Sequence, residues 1–183
     1  AALVSRLPLV PPHRRSRRTR SSAHGHAMDL RGTFRDSLRT AGEPVIIARR
    51  RHRERPRRVV LIADVSASME NYARVYLHLM LGAVRALHAE AFVFATRLTR
   101  LTRLLSNGKP DQAYRKVAQH ATDWSGGTRI GDCLSTFMRE HGQRGIARGA
   151  VVVIVSDGWD TGEPTIVRDA MRRLSLLRSE EHT

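Results

Sequence analysis

Three oxygen-bearing side chains follow a short apolar run at alternate positions. The uncharged run from Val59 to Ala63 ends on Asp64, and Ser66 and Ser68 come next. Such a β-branched run indicates a strand buried on both faces of a parallel sheet. Open α/β sheets bind ligands beyond the carboxyl ends of their strands. Three hard oxygens without His or Cys suit Mg²⁺ or Mn²⁺ better than zinc.

Two later segments carry similar oxygen donors. An apolar strand over residues 150–155 is followed by Asp157, and a loop containing Gly126 and Gly127 brings Thr128 to the start of a predicted helix. Because the carboxyl ends of parallel strands meet at one edge of a sheet, we expect these loops to converge. A hard cation with octahedral coordination needs several oxygens from separate loops, completed by waters. The predicted metal ligands are Asp64, Ser66, Ser68, Thr128 and Asp157.

Each of these residues also has an ordinary structural interpretation. Ser66 and Ser68 can cap the helix that follows them, and Asp157 can be a turn residue before Gly158. Of the aromatic residues nearby, Trp159 either contacts a partner or packs under the last helix. Asp160 is either a supporting carboxylate or a solvated loop residue. We predict partner contacts for Trp124, Trp159 and Asp160.

The enzymatic alternative is a magnesium-dependent hydrolase or phosphotransferase with Asp64 as its nucleophile. Such sites usually have a second carboxylate two positions later, where this chain has Ser66. A lysine normally steadies the phosphate, but neither Lys109 nor Lys116 follows a predicted strand. The sequence also lacks a GxxxxGK[ST] loop and a GxSxG elbow. These features favour a binding module over an enzyme.

The order of predicted elements defines the fold class. Apolar spacing predicts helices over 71–88, 111–120, 129–141 and 164–177, buried strands over 59–64, 91–95 and 150–155, and a half-exposed antiparallel strand within 96–105. Alternating strands and helices indicate an α/β fold: a doubly wound, mainly parallel sheet with helices on both faces. We expect its last strand to be missing, so that the domain is truncated at its C-terminal end.

The first third of the chain is strongly basic. Residues 1–58 contain sixteen arginines and four acidic residues, out of a net charge of +15 for the whole chain. We predict disorder for residues 1–27, one short helix within 28–40, an edge strand within 43–48 and a charged linker over 49–58. The predicted organisation is an arginine-rich arm over 1–58, an α/β domain over 59–177 and a non-native tail over 178–183, which resembles a translated sequencing adapter.

The basic arm has several possible partners. Clustered arginines can bind nucleic acid, an anionic membrane or an acidic protein face. An arginine bias this strong is also typical of a G+C-rich coding sequence. No aromatic residues alternate with the arginines, as single-strand binding would require. One cysteine excludes a disulfide framework, and no apolar run approaches about 18 residues, so we expect a cytoplasmic protein.

Three motifs in order resemble a known family. The DxSxS motif of residues 64–68, the GGT of 126–128 and the SDG of 156–158 resemble the metal-ion-dependent adhesion site of von Willebrand factor type A (VWA) domains. The surrounding segments are similar to the CoxE-like branch of that family. The resemblance covers residues 28–177, with Ala67 where many relatives have glycine.

This resemblance implies a binding module that uses a divalent cation to accept a carboxylate from a partner protein. CoxE-like proteins are associated with a MoxR-type AAA+ ATPase, and founding members assist maturation of the metal centre of carbon monoxide dehydrogenase. The resemblance therefore implies an adaptor role toward an ATPase and a client metalloenzyme. It also implies Mg²⁺ or Mn²⁺ as the bound ion.

Overall fold

The computed structural model divides the chain into two compact units, residues 12–56 and a second unit of residues 57–183 together with 1–11. Each unit is described by itself. The described residues are 10, 12–40, 42, 46–107, 111–112, 114–115, 118, 127–142 and 145–179.

The second unit alternates strands and helices. In chain order its elements are β4 (Val59–Asp64), α2 (Glu70–Leu87), β5 (Glu90–Phe94), β6 (Leu98–Arg100), α3 (Thr102–Asn107), α4 (Ile130–Phe137), β7 (Val151–Val155) and α5 (Pro164–Ser179). A short 3₁₀ turn over Ala67–Met69 precedes α2, and a π-helical turn over Met138–Gly142 extends α4.

The four strands of this unit form one sheet in the order β6-β5-β4-β7. Strand β4 pairs in parallel with both β5 and β7, whereas β6 is antiparallel to β5. In this register Ala63 lies beside Val155, so Asp64 and Ser156 follow at the same edge of the sheet. This pairing is what brings two distant parts of the sequence to one place.

Alternate side chains of β4 belong to two different apolar clusters. Leu61 and Ala63 pack in a cluster that contains Leu77 and Met80 of α2. Val60 and Ile62 pack in another that contains Phe137 of α4 and residues of α5. The period of two along a strand explains why one strand contributes to both clusters. The result is a mixed α/β unit with a parallel-containing sheet; its full doubly wound arrangement stays a prediction.

The first unit, residues 12–56, contains three strands and one helix. These are β1 (His13–Ser21), β2 (Ala27–Met28), α1 (Leu30–Ser37) and β3 (Arg49–Pro56), with a 3₁₀ turn over Leu38–Thr40 after α1. The strands form an antiparallel sheet in the order β1-β3-β2. Asp29 caps α1, because its side chain accepts a hydrogen bond from the Gly32 N–H at 3.1 Å.

Two predictions for this region are wrong. Residues 13–21 and Ala27 form strands where disorder was expected, and residues 49–56 form β3 where a linker was expected. The helix predicted within 28–40 begins at Leu30, after Met28 ends β2. The physical reason is that β1 and β3 satisfy each other's backbone groups, while every side chain of β3 is exposed. Patterns of buried apolar residues cannot reveal such strands, because the strands bury none.

Other boundaries also differ. Residues 46–48 of the predicted edge strand are not in a strand, and 43–45 lie outside the described residues. The predicted strand over 96–105 ends at Arg100, because the spacing of Leu101 and Leu105 places both in the apolar core on a helical turn. Half of the predicted helix over 111–120 lies outside the described part of the chain, and the five residues that are described, 111, 112, 114, 115 and 118, are helical.

Candidate metal centre

Asp64 is a fully buried carboxylate at the end of β4. One oxygen, Oδ1, accepts a hydrogen bond from the backbone N–H of Ser66 at 2.9 Å. The other, Oδ2, accepts a hydrogen bond from the Ser156 hydroxyl at 2.8 Å. Within the described residues no Arg, Lys or His forms an ion pair with it. Asp64 is therefore held rigidly by neutral donors.

Ser66, Ser68 and Asp157 lie together next to this carboxylate. The hydroxyl oxygens of Ser66 and Ser68 are 3.2 Å apart. A hydrogen bond from Ser68, and a second from the backbone N–H of Trp159 at 3.0 Å, lower the pKa of Asp157. Asp157 is thus anionic at neutral pH and shares a hydroxyl partner with the serine pair. Hydrogen bonds therefore link four of the five predicted ligands through two neighbouring strand ends.

Thr128 is buried and is attached to the loop after β7 by its backbone. Its carbonyl oxygen accepts hydrogen bonds from both the N–H and the hydroxyl of Thr161, each at 2.9 Å. Gly127 precedes it with a φ of 72°, and a Cβ there would lie 2.6 Å from Thr161. Only glycine fits this turn against Thr161. The structure thus holds Thr128 beside the 156–162 loop, while its hydroxyl as a ligand stays a prediction.

Asp160 forms hydrogen bonds that join the 156–162 loop to the start of α4. Its Oδ1 accepts hydrogen bonds from the backbone N–H groups of Ile130 and Gly162, at 3.0 and 3.1 Å. Its Oδ2 is buried, and no group within the described part of the chain forms a hydrogen bond with it. The position therefore indicates a supporting carboxylate rather than a solvated loop residue.

The pKa of Cys133 is raised partly by the negative charge of this region. Its thiol is buried in α4, and burial raises its pKa to about 12, with further contributions from Asp132, Asp64 and Asp160. Since two of these carboxylates belong to the candidate site, their fields overlap at the start of α4. Among the described residues Asp132 has Arg129 as a basic partner at 3.9 Å, whereas Asp64 and Asp160 have none. Two carboxylates without a basic partner give the site the electrostatics of a cation site.

The predicted aromatic contacts have different outcomes. Trp159 is 77% exposed, so it does not pack under the last helix. Trp124 lies outside the described residues. The role of both as partner contacts stays a prediction.

Sequence reasoning did not assign a role to Ser156. Its hydroxyl, directly after the neighbouring strand β7, donates the hydrogen bond to Oδ2 of Asp64. A signal was available, because a parallel pairing of the two apolar strands in register places the residue after Val155 beside Asp64. The interactions of Asp160 with the start of α4 had no comparable signal, since a loop conformation makes them.

The donor set fits a hard divalent cation. The cluster offers hydroxyls and carboxylates, the oxygens that Mg²⁺ and Mn²⁺ prefer. A fully buried carboxylate without a basic partner is costly unless a cation offsets its charge. Among the described residues no group of three or more His, Cys, Asp or Glu side chains is arranged so that it could hold a metal ion. The site is therefore built from mixed hydroxyls and carboxylates rather than from a carboxylate cluster.

Comparisons with known proteins give one match. A family model described as VWA domain containing CoxE-like protein matches residues 3–178. No curated protein and no solved structure matches the chain significantly. Separately, in the part of the chain that the structure describes, no helix has the length and apolar character to cross a bilayer.

Proposed function

The chain belongs to the CoxE-like family of VWA-domain proteins, and from this premise we propose that it is a metal-dependent protein-binding module. The mixed α/β unit with its parallel-containing sheet fits a VWA fold. Membership of this family suggests a role in protein interaction. The metal dependence rests on the site itself.

One observation carries the proposal: Asp64 is fully buried, yet its hydrogen-bond partners are a backbone N–H and a hydroxyl. Among the described residues no basic side chain forms an ion pair with it. Neutral donors offset only part of the cost of burying a carboxylate charge. A cation beside Asp64 supplies the rest. The buried and unbonded Oδ2 of Asp160 adds a second carboxylate oxygen of the same region that lacks a described partner.

The residues that would hold this ion are the predicted set, Asp64, Ser66, Ser68, Thr128 and Asp157. Bound Mg²⁺ or Mn²⁺ supplies an electrophilic centre that keeps coordination positions for waters or an incoming oxygen. The serine hydroxyls are neutral, so the set carries less negative charge than an all-carboxylate site. This low charge favours acceptance of one more carboxylate from a partner.

The same geometry argues against the enzymatic alternative. A nucleophile must reach its substrate, but Asp64 is fully buried and both of its oxygens accept hydrogen bonds. The exposed groups at the rim are Ser68, Asp157 and Trp159. These are suited to contact a protein surface, with the indole as an exposed apolar contact beside the ion.

The partner we propose is a MoxR-type AAA+ ATPase that offers an Asp or Glu side chain to the site. In this model the chain acts as an adaptor in the maturation of a client metalloenzyme of the carbon monoxide dehydrogenase kind. Trp159, together with Trp124, would lie at that interface. Asp160 was predicted as a contact as well, but its internal hydrogen bonds and buried Oδ2 favour a supporting role behind it. The support is the family membership and the exposed rim of the site.

The metal-binding half is tested by titrating the chain with Mg²⁺ and Mn²⁺ and measuring urea unfolding. With free metal at about 100 times its Kd, the free energy of unfolding should rise by about 2.7 kcal/mol. In Asp64→Asn this increase should disappear, whereas the exposed matched control Asp169→Asn should keep it. A wild-type chain whose stability does not respond to either ion would contradict the proposal.

The partner half has a separate test. Capture of a purified MoxR-type ATPase should require Mg²⁺ and should be lost in Thr128→Ala and in Trp159→Ala. Because Trp159 is exposed, its variant should still bind metal, which separates recognition from ion binding. Equal capture in the presence of EDTA would rule out a metal-mediated contact.

A further inference from the structure

One face of the three-stranded sheet in unit 12–56 is lined with arginine. Alternate residues of β3 point to the same face, and here they are Arg49, Arg51, Arg53 and Arg55. The antiparallel register places Arg20 of β1 directly opposite Arg51, so Arg20 joins the same face. Glu54 lies on the other face, opposite Arg15. The arginine face therefore carries positive charge without an acidic residue of β3.

This arrangement is unfavourable unless an anion is present. Like charges directly opposite on neighbouring strands destabilise a sheet. Within the described residues Arg20, Arg51 and Arg53 form no ion pair. These three arginines line a cavity of about 340 Å³ together with His52 and Glu54. Because His52 and Glu54 belong to the other face of β3, this cavity is not confined to the arginine face. The basic surface that an anionic group would stabilise is formed by the exposed arginines of that face themselves.

The helix of the same unit exposes its apolar row. Leu30, Phe34 and Leu38 are spaced four residues apart and are 75%, 70% and 66% exposed. The residues that α1 buries are instead Gly32 and Ser37. An arginine follows each apolar residue of the row, so a basic stripe flanks it on the helix surface: Arg31, Arg35 and Arg39. Exposed apolar residues beside arginines are typical of helices that lie in a membrane interface.

Met28 connects the two surfaces. It pairs with Arg49 in the register of β2 and β3, so its side chain lies on the arginine face, and it is 58% exposed. The next residue, Asp29, caps α1 and donates its N–H to the carbonyl of Ala48 at 2.8 Å. The apolar helix thus begins at the edge of the arginine face. Exposed Ile46 and Ile47 add apolar surface just before β3.

We propose that residues 12–56 bind the surface of an anionic lipid bilayer. The arginines contact lipid phosphates, and the row of Leu30, Phe34 and Leu38 enters the interfacial region. Nucleic acid would account for the arginines but not for the exposed apolar row. The strands also carry no Phe, Tyr or Trp side chains on which bases could stack. An anionic bilayer would contact both the arginine face and the exposed apolar row of α1.

The test is co-sedimentation of the full chain with vesicles of phosphatidylcholine containing 30% phosphatidylglycerol, compared with pure phosphatidylcholine (about 30% is chosen to give a strongly negative surface). The chain should bind the anionic vesicles, and added salt should weaken binding. Replacing Arg51, Arg53 and Arg55 with Gln should reduce partitioning about 100-fold. The control replaces Arg103, Arg172 and Arg173, which are exposed in the other unit, and should change it less than about twofold.

The apolar row has its own variant. Replacing Leu30, Phe34 and Leu38 with Ser should also reduce partitioning, on the order of 100-fold, while leaving the circular dichroism spectrum unchanged because these side chains are exposed. Its control replaces Val75, Met171 and Leu176, which are exposed apolar residues of the other unit. All binding should persist in EDTA, so this result is independent of the metal site.

Three outcomes would overturn the proposal. The first is equal sedimentation with neutral and anionic vesicles. The second is unchanged binding by either triple variant. The third is binding to a DNA duplex or to an acidic polypeptide without binding to vesicles, which would assign the arginine face to that partner instead.

Discussion

Strands β3 and β4 are neighbours in the sequence but opposite in their surroundings. Only Arg57 and Arg58 separate them, yet all eight residues of β3 are exposed and all six of β4 are buried. Both are strands because each has backbone partners on two sides. The difference shows that ladder pairing makes a strand, whereas burial of side chains decides how much that strand stabilises the fold.

The two compact units differ in the same way. The unit that contains β4 has two apolar clusters with many fully buried side chains. In the described part of unit 12–56, the residues classed as buried are Gly25, Gly32 and Ser37. A unit of this size with so little buried apolar surface is marginal on its own. Its stability must depend on backbone pairing and on whatever covers its exposed surfaces.

The largest expected effect comes from truncating the buried strand. Ile62→Ala in β4 should lower the free energy of unfolding by about 2–5 kcal/mol, because Ile62 is fully buried in the cluster of Phe92 and Phe137. Arg51→Ala in β3, the matched substitution on the exposed strand, should change it by less than about 0.5 kcal/mol. Urea unfolding measures both. Equal costs would remove the contrast between the strands.

A smaller effect should separate the two units. In unit 12–56, a Cβ on Gly25 would lie 2.5 Å from the backbone oxygen of Arg50, so Gly25→Ala must displace β3 at a cost of about 1–3 kcal/mol. Trypsin should then cut within residues 12–56 at least about 10-fold faster while residues 57–179 stay protected. Gly82→Ala in α2 is the control, because apart from neighbouring residues and the nearby backbone of its own helix no atom lies within 4 Å of its Cβ position.

The Gly25 experiment also has a clear contrary result. Uniform acceleration of cleavage over the whole chain would show that the two units unfold as one. Gly82→Ala should instead stabilise its helix by about 0.5–1 kcal/mol, since alanine loses less backbone entropy than glycine.

The last effect, which is small only for a change of one pH unit, is the stability lost when the buried thiol of Cys133 ionises. Cys133 has a pKa raised from 9.0 to about 12 in the folded chain, mainly by burial. A raised folded pKa means that the contribution of the neutral thiol is complete below pH 9 and is lost as pH rises toward 12. The wild-type free energy of unfolding should fall by up to about 1.4 kcal/mol per pH unit more than that of Cys133→Ala. The free energy is measured by urea unfolding at several pH values. If it changed with pH equally in wild type and Cys133→Ala, the thiol would not be buried.

Sequence reasoning located the buried half of the fold well and the exposed half poorly. The runs at 59–64 and 150–155 were recognisable because a strand covered on both faces must be apolar throughout. Strands β1 and β3 were missed because their arginines contribute no apolar pattern. The apolar row of α1 indicated a short helix within 28–40, but its exposure could not be predicted, because spacing gives a helix face without saying what covers it.

For the candidate site, the sequence by itself determined which oxygen donors follow the strands, since residue type and strand ends are local properties. Only the tertiary structure decided that Ser156 holds Asp64, that Ser68 pairs with Asp157, and that Asp160 fastens the loop to the start of α4. These contacts join residues about 30 to 90 positions apart, and they depend on strand order, register and loop conformation, which no local pattern encodes.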